Sequence, residues 1–295
     1  DTDDKDDDLL NEIKKRFDSC VEFWAVVRQE MMDDVKFARL GDQWAEGAKR
    51  DRNRPGEERP MLVVNRLLQF RDRVVNEIRQ NTPSIRVRPV NSGADQDTAD
   101  VIMGLVRHIQ DNSNASIAYD TAVEWQVDTG LGYIRVRNDW ADDKSFDQEI
   151  FIDPIDNPFS IYYDLNSVMP DGSDAERCLI TTMMSKKEFK KLYPGAETDS
   201  FTQRGTGDSQ SEWINKEDIR LAEYWYTIRE REKLILLSDG SSIFESDFKK
   251  VQEQLFMAGV MPIDERMSVR KRIKWCKLTA VEILEEGEWA GKYLP

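Results

Sequence analysis

"DTGLGYIRVRNDW", residues 128–140, is the point at which the hydrophobic rhythm of this chain changes. Before it, apolar residues recur every three or four positions. From Tyr133 onward Ile134 and Val136 share one face and Arg135 and Arg137 the other, the period-two pattern of a half-buried strand. Gly130 and Gly132 punctuate the junction. Helices therefore come first and strands second, which predicts an α+β chain with long N-terminal helices followed by a strand-rich region.

Upstream, Asp95–Gln110 and Ala115–Val127 read as two helices packed as a hairpin. They are separated by "DNSNAS", whose Asn and Ser residues favour a turn and a fresh N-cap. From Val63 to Gln80, steps of 100° gather Val63, Val64, Leu67, Leu68, Phe70, Val74, Val75 and Ile78 into one stripe of roughly 160°. Arg71 falls in the middle of it. A guanidinium there is costly unless it is paired or reaches water past its own stem, so Arg71 is expected to be mostly buried against a carboxylate of the same or an adjacent chain. The polar side carries Arg66, Arg73, Asn76, Arg79 and Gln80, which with Arg71 form the candidate subunit-contact set. The helix then runs into "NEIRQNTPSIRVRPV" (76–90), where Thr82-Pro83 turns the chain into an extended piece with Arg86 and Arg88 on one face. Nearest the start, Leu10, Ile13, Phe17, Val21, Trp24, Val27, Met31 and Val35 predict one amphipathic helix of roughly 40 Å. "GDQWAEGAKRDRNRPGEERP" (41–60) breaks all periodicity and reads as a loop.

Downstream, "EIFIDPI", "IYYDL" and "CLITTMM" are rich in β-branched and aromatic residues and read as further strands. Ser185 and Glu188 form a capping box for the short helix "SKKEFKKLY", stopped by Pro194-Gly195. "GAETDSFTQRGTGDSQSEW" (195–213) is polar and Gly-rich, and places a boundary near Ile214 between a first region, 1–214, and a second, 215–295. In the second region "IRLAEYWYTIRER" and "KLILLSDGSSIFES" read as a strand pair with Asp239-Gly240 in the turn. A helix from Asp247 to Met257 follows, then "SVRKRIKWCKLTAVEILEE" as strands.

The chain has 295 residues, enough to bury a sizeable core divided over two domains. No apolar run is long enough to span a membrane, and the opening "DTDDKDDD" is opposite in charge to a signal peptide, so a soluble globular chain outside the secretory route is expected. Cys20, Cys178 and Cys276 are odd in number and widely spaced, which fits reduced thiols rather than a disulfide framework or a zinc site. Asp1 in place of Met fits a trimmed or processed chain.

The net charge of -15 argues against a general phosphate gripper. The charge is uneven: Arg59 to Val90 holds seven basic and two acidic residues, whereas Asp139 to Glu176 holds eleven acidic residues against Lys144 alone. Two regions of opposite sign are what head-to-tail contact between copies would use.

Catalytic sets are missing from the sequence. His108 is the only histidine, so no triad and no two-histidine metal site can be built. There is no G-x-x-x-x-G-K-[ST] loop and no G-x-G-x-x-G after a strand. Asp153, Asp156, Asp164, Asp171 and Asp174 could hold the Mg²⁺ ions of a nuclease, although their settings also suit turn formation. No cofactor is called for.

With those residues in view, "RPMLVVNRLLQFRDRVVNEIRQNTPSIRVRPV" resembles a segment of the portal proteins of short-tailed, tailed bacteriophages. "DTGLGYIRVR", "DPIDNPFSIYYDLNSVMPDGSDAERCLITTMMSKKEFKKLYPGA", "RLAEYWY" and "EILEEGEWAGKYLP" resemble successive family segments in the family's order, covering most of the chain from about Arg59. The resemblance implies a portal-type subunit without enzymatic activity, in a ring of about twelve copies at one capsid vertex of the virion. The ring would be assembled in the host cytoplasm. Its implied partners are the major capsid protein, the terminase large subunit that drives packaging, tail or adaptor proteins, and double-stranded DNA that passes without tight binding. By the same resemblance Leu9 to about Ile214 corresponds to a wing and the later strands to a stem or clip, with the crown or barrel lying beyond this chain.

"SVRKRIKWCK" (268–277) closes the reading. On a strand Arg270, Arg272 and Lys274 share a face, as an edge blunted by charge or as a candidate clip or motor contact. The alternatives from other classes are a metal-dependent nuclease using the clustered carboxylates and a monomeric adaptor or scaffold module.

Overall fold

In the computed structural model, which describes residues 3–81, 84–89, 95–142, 144–196, 218–279 and 282–295, the chain folds as two units interleaved in sequence. Residues 21–161 form a helical unit, and 3–20 with 162–196 and the described residues of 218–294 form a sheet unit. The architecture is α+β. The proposed boundary at Ile214 and the Thr82-Pro83 turn lie outside the described residues.

One helix, α1 (Asp3–Ala38), supplies residues to both units. Its 36 residues extend the expected helix by a turn at the C-terminal end and two at the N-terminal end. Leu10, Ile13, Phe17, Val21 and Met31 are buried at the spacing of one helix face. The helical unit continues with α2 (Glu46–Arg52), α3 (Leu67–Gln80), α4 (Gln96–Asn112) and α5 (Ala115–Thr129), then an antiparallel hairpin of β1 (Ile134–Trp140) and β2 (Gln148–Pro154). The hairpin register runs from Ile134 opposite Pro154 to Trp140 opposite Gln148. Between α4 and α5 the chain turns at Asn114, φ 48°, an angle that Asn tolerates better than most residues. Gly130 caps α5 at φ 83°, its N–H bonded to Gln126 O at 2.9 Å. At Gly132 an added Cβ would lie 1.9 Å from Ala122 O, so only glycine lets the connection to β1 lie against α5.

Two features of α3 differ from the sequence expectation. It begins at Leu67 rather than Val63, because the Asn65 side chain accepts from Leu67 N–H at 3.1 Å while its own amide donates to Ala38 O at 2.6 Å. The apolar stripe also divides. Val75 is 2% exposed and lies on the buried side with Arg71, while Phe70 is 65% exposed, Val74 45% and Ile78 42%.

The sheet unit adds β3 (Ile161–Tyr163), β4 (Arg177–Ser185), α6 (Lys186–Leu192), β5 (Asp218–Leu237), β6 (Ser242–Phe244), α7 (Glu245–Met257), β7 (Pro262–Leu278) and β8 (Ile283–Trp289). The strand order is β3-β4-β5-β7-β8, with β6 beside the end of β5. Ser185 caps α6 by accepting from Glu188 N–H at 3.3 Å. The two strands read as a pair across residues 219–237 are one strand of 20 residues. The Asp239-Gly240 turn instead joins its end to the three-residue β6. The polar middle of β5 does not break it, because β7 supplies a partner for each residue from Ala222 to Leu237. Its first half is the core: Ile219, Leu221, Ala222, Tyr224 and Trp225 are buried, and Phe189 of α6 packs on Ile219 and Leu221. At the far end Ile235 and Leu237 pack with Phe248 of α7.

Candidate functional site

Arg71 is 17% exposed and points at α5, where Asp120, Glu124 and Asp128 recur every four residues as one acidic row. Its Nη2 bonds Glu124 Oε2 at 2.7 Å. Its Nε lies 3.0 Å from Asp128 Oδ1 as an ion-pair contact lacking the angle of a hydrogen bond. Arg79, two turns further along α3, meets Asp120 Oδ2 at 2.9 Å and Glu124 Oε1 at 3.0 Å. Arg39, just past α1, closes the set with Asp128 Oδ2 at 2.6 Å, its guanidinium 4.1 Å from the centre of the Trp125 ring. The Asp128 side chain is 2% exposed and has two arginines against it, which compensates the cost of its burial.

Glu124, Asp128 and, at 3.5 Å, the neighbouring Asp72 thus pair with Arg71 from its own chain. The sequence reading missed Asp120, Glu124, Asp128 and Arg39, although the four-residue spacing of the carboxylates is a visible signal. Arg66, which caps α3, and Arg73, Asn76 and Gln80 on it are exposed, and Arg86 and Arg88 are exposed beyond it. His108 is exposed on α4.

On β7, Arg270 reaches Asp247 Oδ2 at 2.7 Å, Ser246 Oγ at 2.7 Å and Glu232 Oε2 at 3.3 Å, and lies 5.0 Å from the centre of the Phe244 ring. Arg272 pairs with Glu230 and lies 3.5 Å from Glu288 Oε1. Lys274 is half-buried, opposite Tyr226 on β5 and Glu288 on β8. An edge reading thus fits β7 only as far as Arg272, since β8 pairs with it from Ile273 onward.

Four of the five carboxylates considered for Mg²⁺ are engaged locally, and Asp156 is exposed. Asp153 pairs with Arg137 across the hairpin. Asp164, 8% exposed, accepts from Asn166 N–H at 3.0 Å and Glu176 N–H at 2.9 Å. Asp174 accepts from Val168 N–H at 2.7 Å and Ser167 Oγ at 2.7 Å, and these donors hold its carboxyl below the usual range. The Ser173 N–H and hydroxyl do the same for Asp171. Among the described residues no group of three or more His, Cys, Asp or Glu side chains could hold a metal ion. None of the described helices is long and apolar enough to cross a membrane. A cavity of about 390 Å³ in the sheet unit is walled by Arg16, Tyr162, Tyr163, Asp164, Arg177 and Tyr224. Arg16 is already bonded to Glu12, and Asp164 to the backbone N–H groups of Asn166 and Glu176.

Residues 14–295 match the model of a family described as phage P22-like portal protein. A relative named "Portal protein", from Acyrthosiphon pisum secondary endosymbiont phage 1, is 23% identical over 300 residues, covering 96% of this chain. This chain spans 41% of that relative's length.

Proposed function

The chain belongs to the phage P22-like portal protein family, and from that membership we propose that it is one subunit of a ring-shaped channel at a capsid vertex. The observation that carries the reading is the family match over residues 14–295, nearly the whole chain, rather than a single motif. In this role the chain performs no chemistry. Its ring, of about twelve copies, is a closed cyclic assembly. The terminase large subunit drives DNA through the ring, the major capsid protein surrounds it, and tail or adaptor proteins close it after filling. The place of action is the portal vertex of the virion, with assembly in the host cytoplasm.

The charge supports a conduit. About twelve copies at -15 carry roughly -180 before counterions, a field in which duplex phosphates slide rather than adhere. The interlocked arginines and carboxylates between α3 and α5 support a rigid wing, because Arg71, Arg79, Glu124 and Asp128 are each held from two sides. Arg66, Arg73, Asn76 and Gln80 are assigned to contact with a neighbouring copy. Arg270, Arg272 and Lys274 are assigned to a clip that meets the motor. Engagement of Asp153, Asp164, Asp171 and Asp174 in local hydrogen bonds and ion pairs weighs against a nuclease. Sedimentation of the full-length protein at micromolar concentration tests the reading: a closed multimer is expected, and a stable monomer would favour an adaptor module instead.

A further inference from the structure

Among the apolar side chains that the helical unit leaves exposed, two groups match each other. On α3, Leu67 is 39% exposed, Phe70 65%, Val74 45% and Ile78 42%. These positions fall on one side of the helix, bordered by the exposed cations of Arg66 and Arg73 and, one turn beyond Arg73, by exposed Glu77. At the tip of the β1–β2 hairpin, Trp140 is 53% exposed and Phe146 94%. On either side of the tip the described residues are bonded: Ala141 N–H bonds Asp147 O at 2.9 Å, Ser145 N–H bonds Asp142 O at 3.0 Å, and Asp147 N–H bonds Ser145 Oγ at 2.9 Å. Phe146 is thus held out on a closed turn, with exposed Asp142 and Asp147 beside it.

We infer that the hairpin tip of one copy docks on the α3 row of the next, Phe146 seated among Phe70, Val74 and Ile78. Asp142 and Asp147 then meet Arg66 and Arg73. Neither feature is covered by the other within one copy, since both are exposed with the whole chain present. They are matched in chemistry and opposite in sign, an aromatic anchor with an acidic rim against an apolar row with a basic rim. Because the two surfaces differ, the contact is heterologous, and such contacts close into rings when the rotation between copies divides a full turn. A turn already fixed by its own hydrogen bonds loses little freedom on docking. The inference rests on the ring-subunit reading and names the surfaces that would join the copies.

The test uses the full-length protein with Cys20→Ser, to remove the half-buried thiol, and adds Val74→Cys and Phe146→Cys singly and together. Treatment with a short bis-maleimide is read on a denaturing gel. A ladder of covalent multimers only when both cysteines are present is expected. Rings that form while the double variant gives no ladder, or only a cross-linked monomer, overturn the docking and leave the ring reading in place. A parent protein that stays monomeric overturns both. In a second arm, Arg66→Glu with Arg73→Glu should raise the concentration for half-assembly about tenfold or more, and adding Asp142→Arg with Asp147→Arg should recover most of it. Unchanged assembly in the first pair, or no recovery in the four-fold variant, counts against the proposed contact.

Discussion

Replacing Arg71 by alanine removes a guanidinium that is 17% exposed and meets Glu124 and Asp128 together. Glu124 keeps Arg79 at 3.0 Å and is partly solvated, so its loss is small. Asp128 is 2% exposed and keeps only Arg39. Stranding half the compensation of a buried carboxylate, together with the lost packing of the arginine stem, costs about 3 kcal/mol, near the low end for breaking a buried pair. Arg71→Met restores the stem but not the charge and should cost about 1 to 2 kcal/mol. In a unit of this size each kcal/mol moves the midpoint by about 2 to 4 °C, so the alanine variant should melt roughly 6 to 12 °C lower. A double-mutant cycle of Arg71→Ala with Asp128→Ala should give a coupling of about 1 to 3 kcal/mol. The assay is thermal unfolding followed by circular dichroism, with urea titration as a check. An alanine variant within about 1 °C of the parent, or a cycle without coupling, would refute the buried network.

Thiol labelling should divide the cysteines: Cys276 is buried and burial pushes its thiol up to about 12, so it should stay unlabelled at neutral pH until the protein unfolds, whereas half-buried Cys20 reacts first; early labelling of Cys276 would contradict the sheet core. Asp174 has a depressed carboxyl, so its contribution to holding the loop from Val168 to Asp174 should be complete above the free-aspartate value of about 3.9 and lost as pH falls through the lower folded value. Asp174→Asn should remove that acid-dependent component in a pH series of melts, and an unchanged acid profile would mean the loop does not depend on the carboxylate.

The long helices of the first region, the strands β1 and β2 and the cap of α6 were legible because each follows from local spacing and local caps. The stretch 41–60 reads as loop throughout, yet seven of its residues form α2, a helix too short to show an apolar period. The continuity of β5 was not. Its segment from Thr227 to Lys233 looks like a gap in an apolar pattern, and its support comes from β7, a pairing no local window contains. The start of α3 depended likewise on Asn65 bonding to Ala38, 27 residues earlier. For Arg71 the sequence made plain the need for a partner but not which one, since Glu124 lies 53 residues away. The placement of Phe146 out in solvent had no sequence signal, because an aromatic between Ser145 and Asp147 reads as readily as a strand residue turned inward.

The most direct measurement of the central claim is electron microscopy of the purified full-length protein. Top views of closed rings, with one uniform copy number and a central hole wide enough for duplex DNA, are the expected result. Compact particles without a hole, or open filaments of head-to-tail copies, would contradict it.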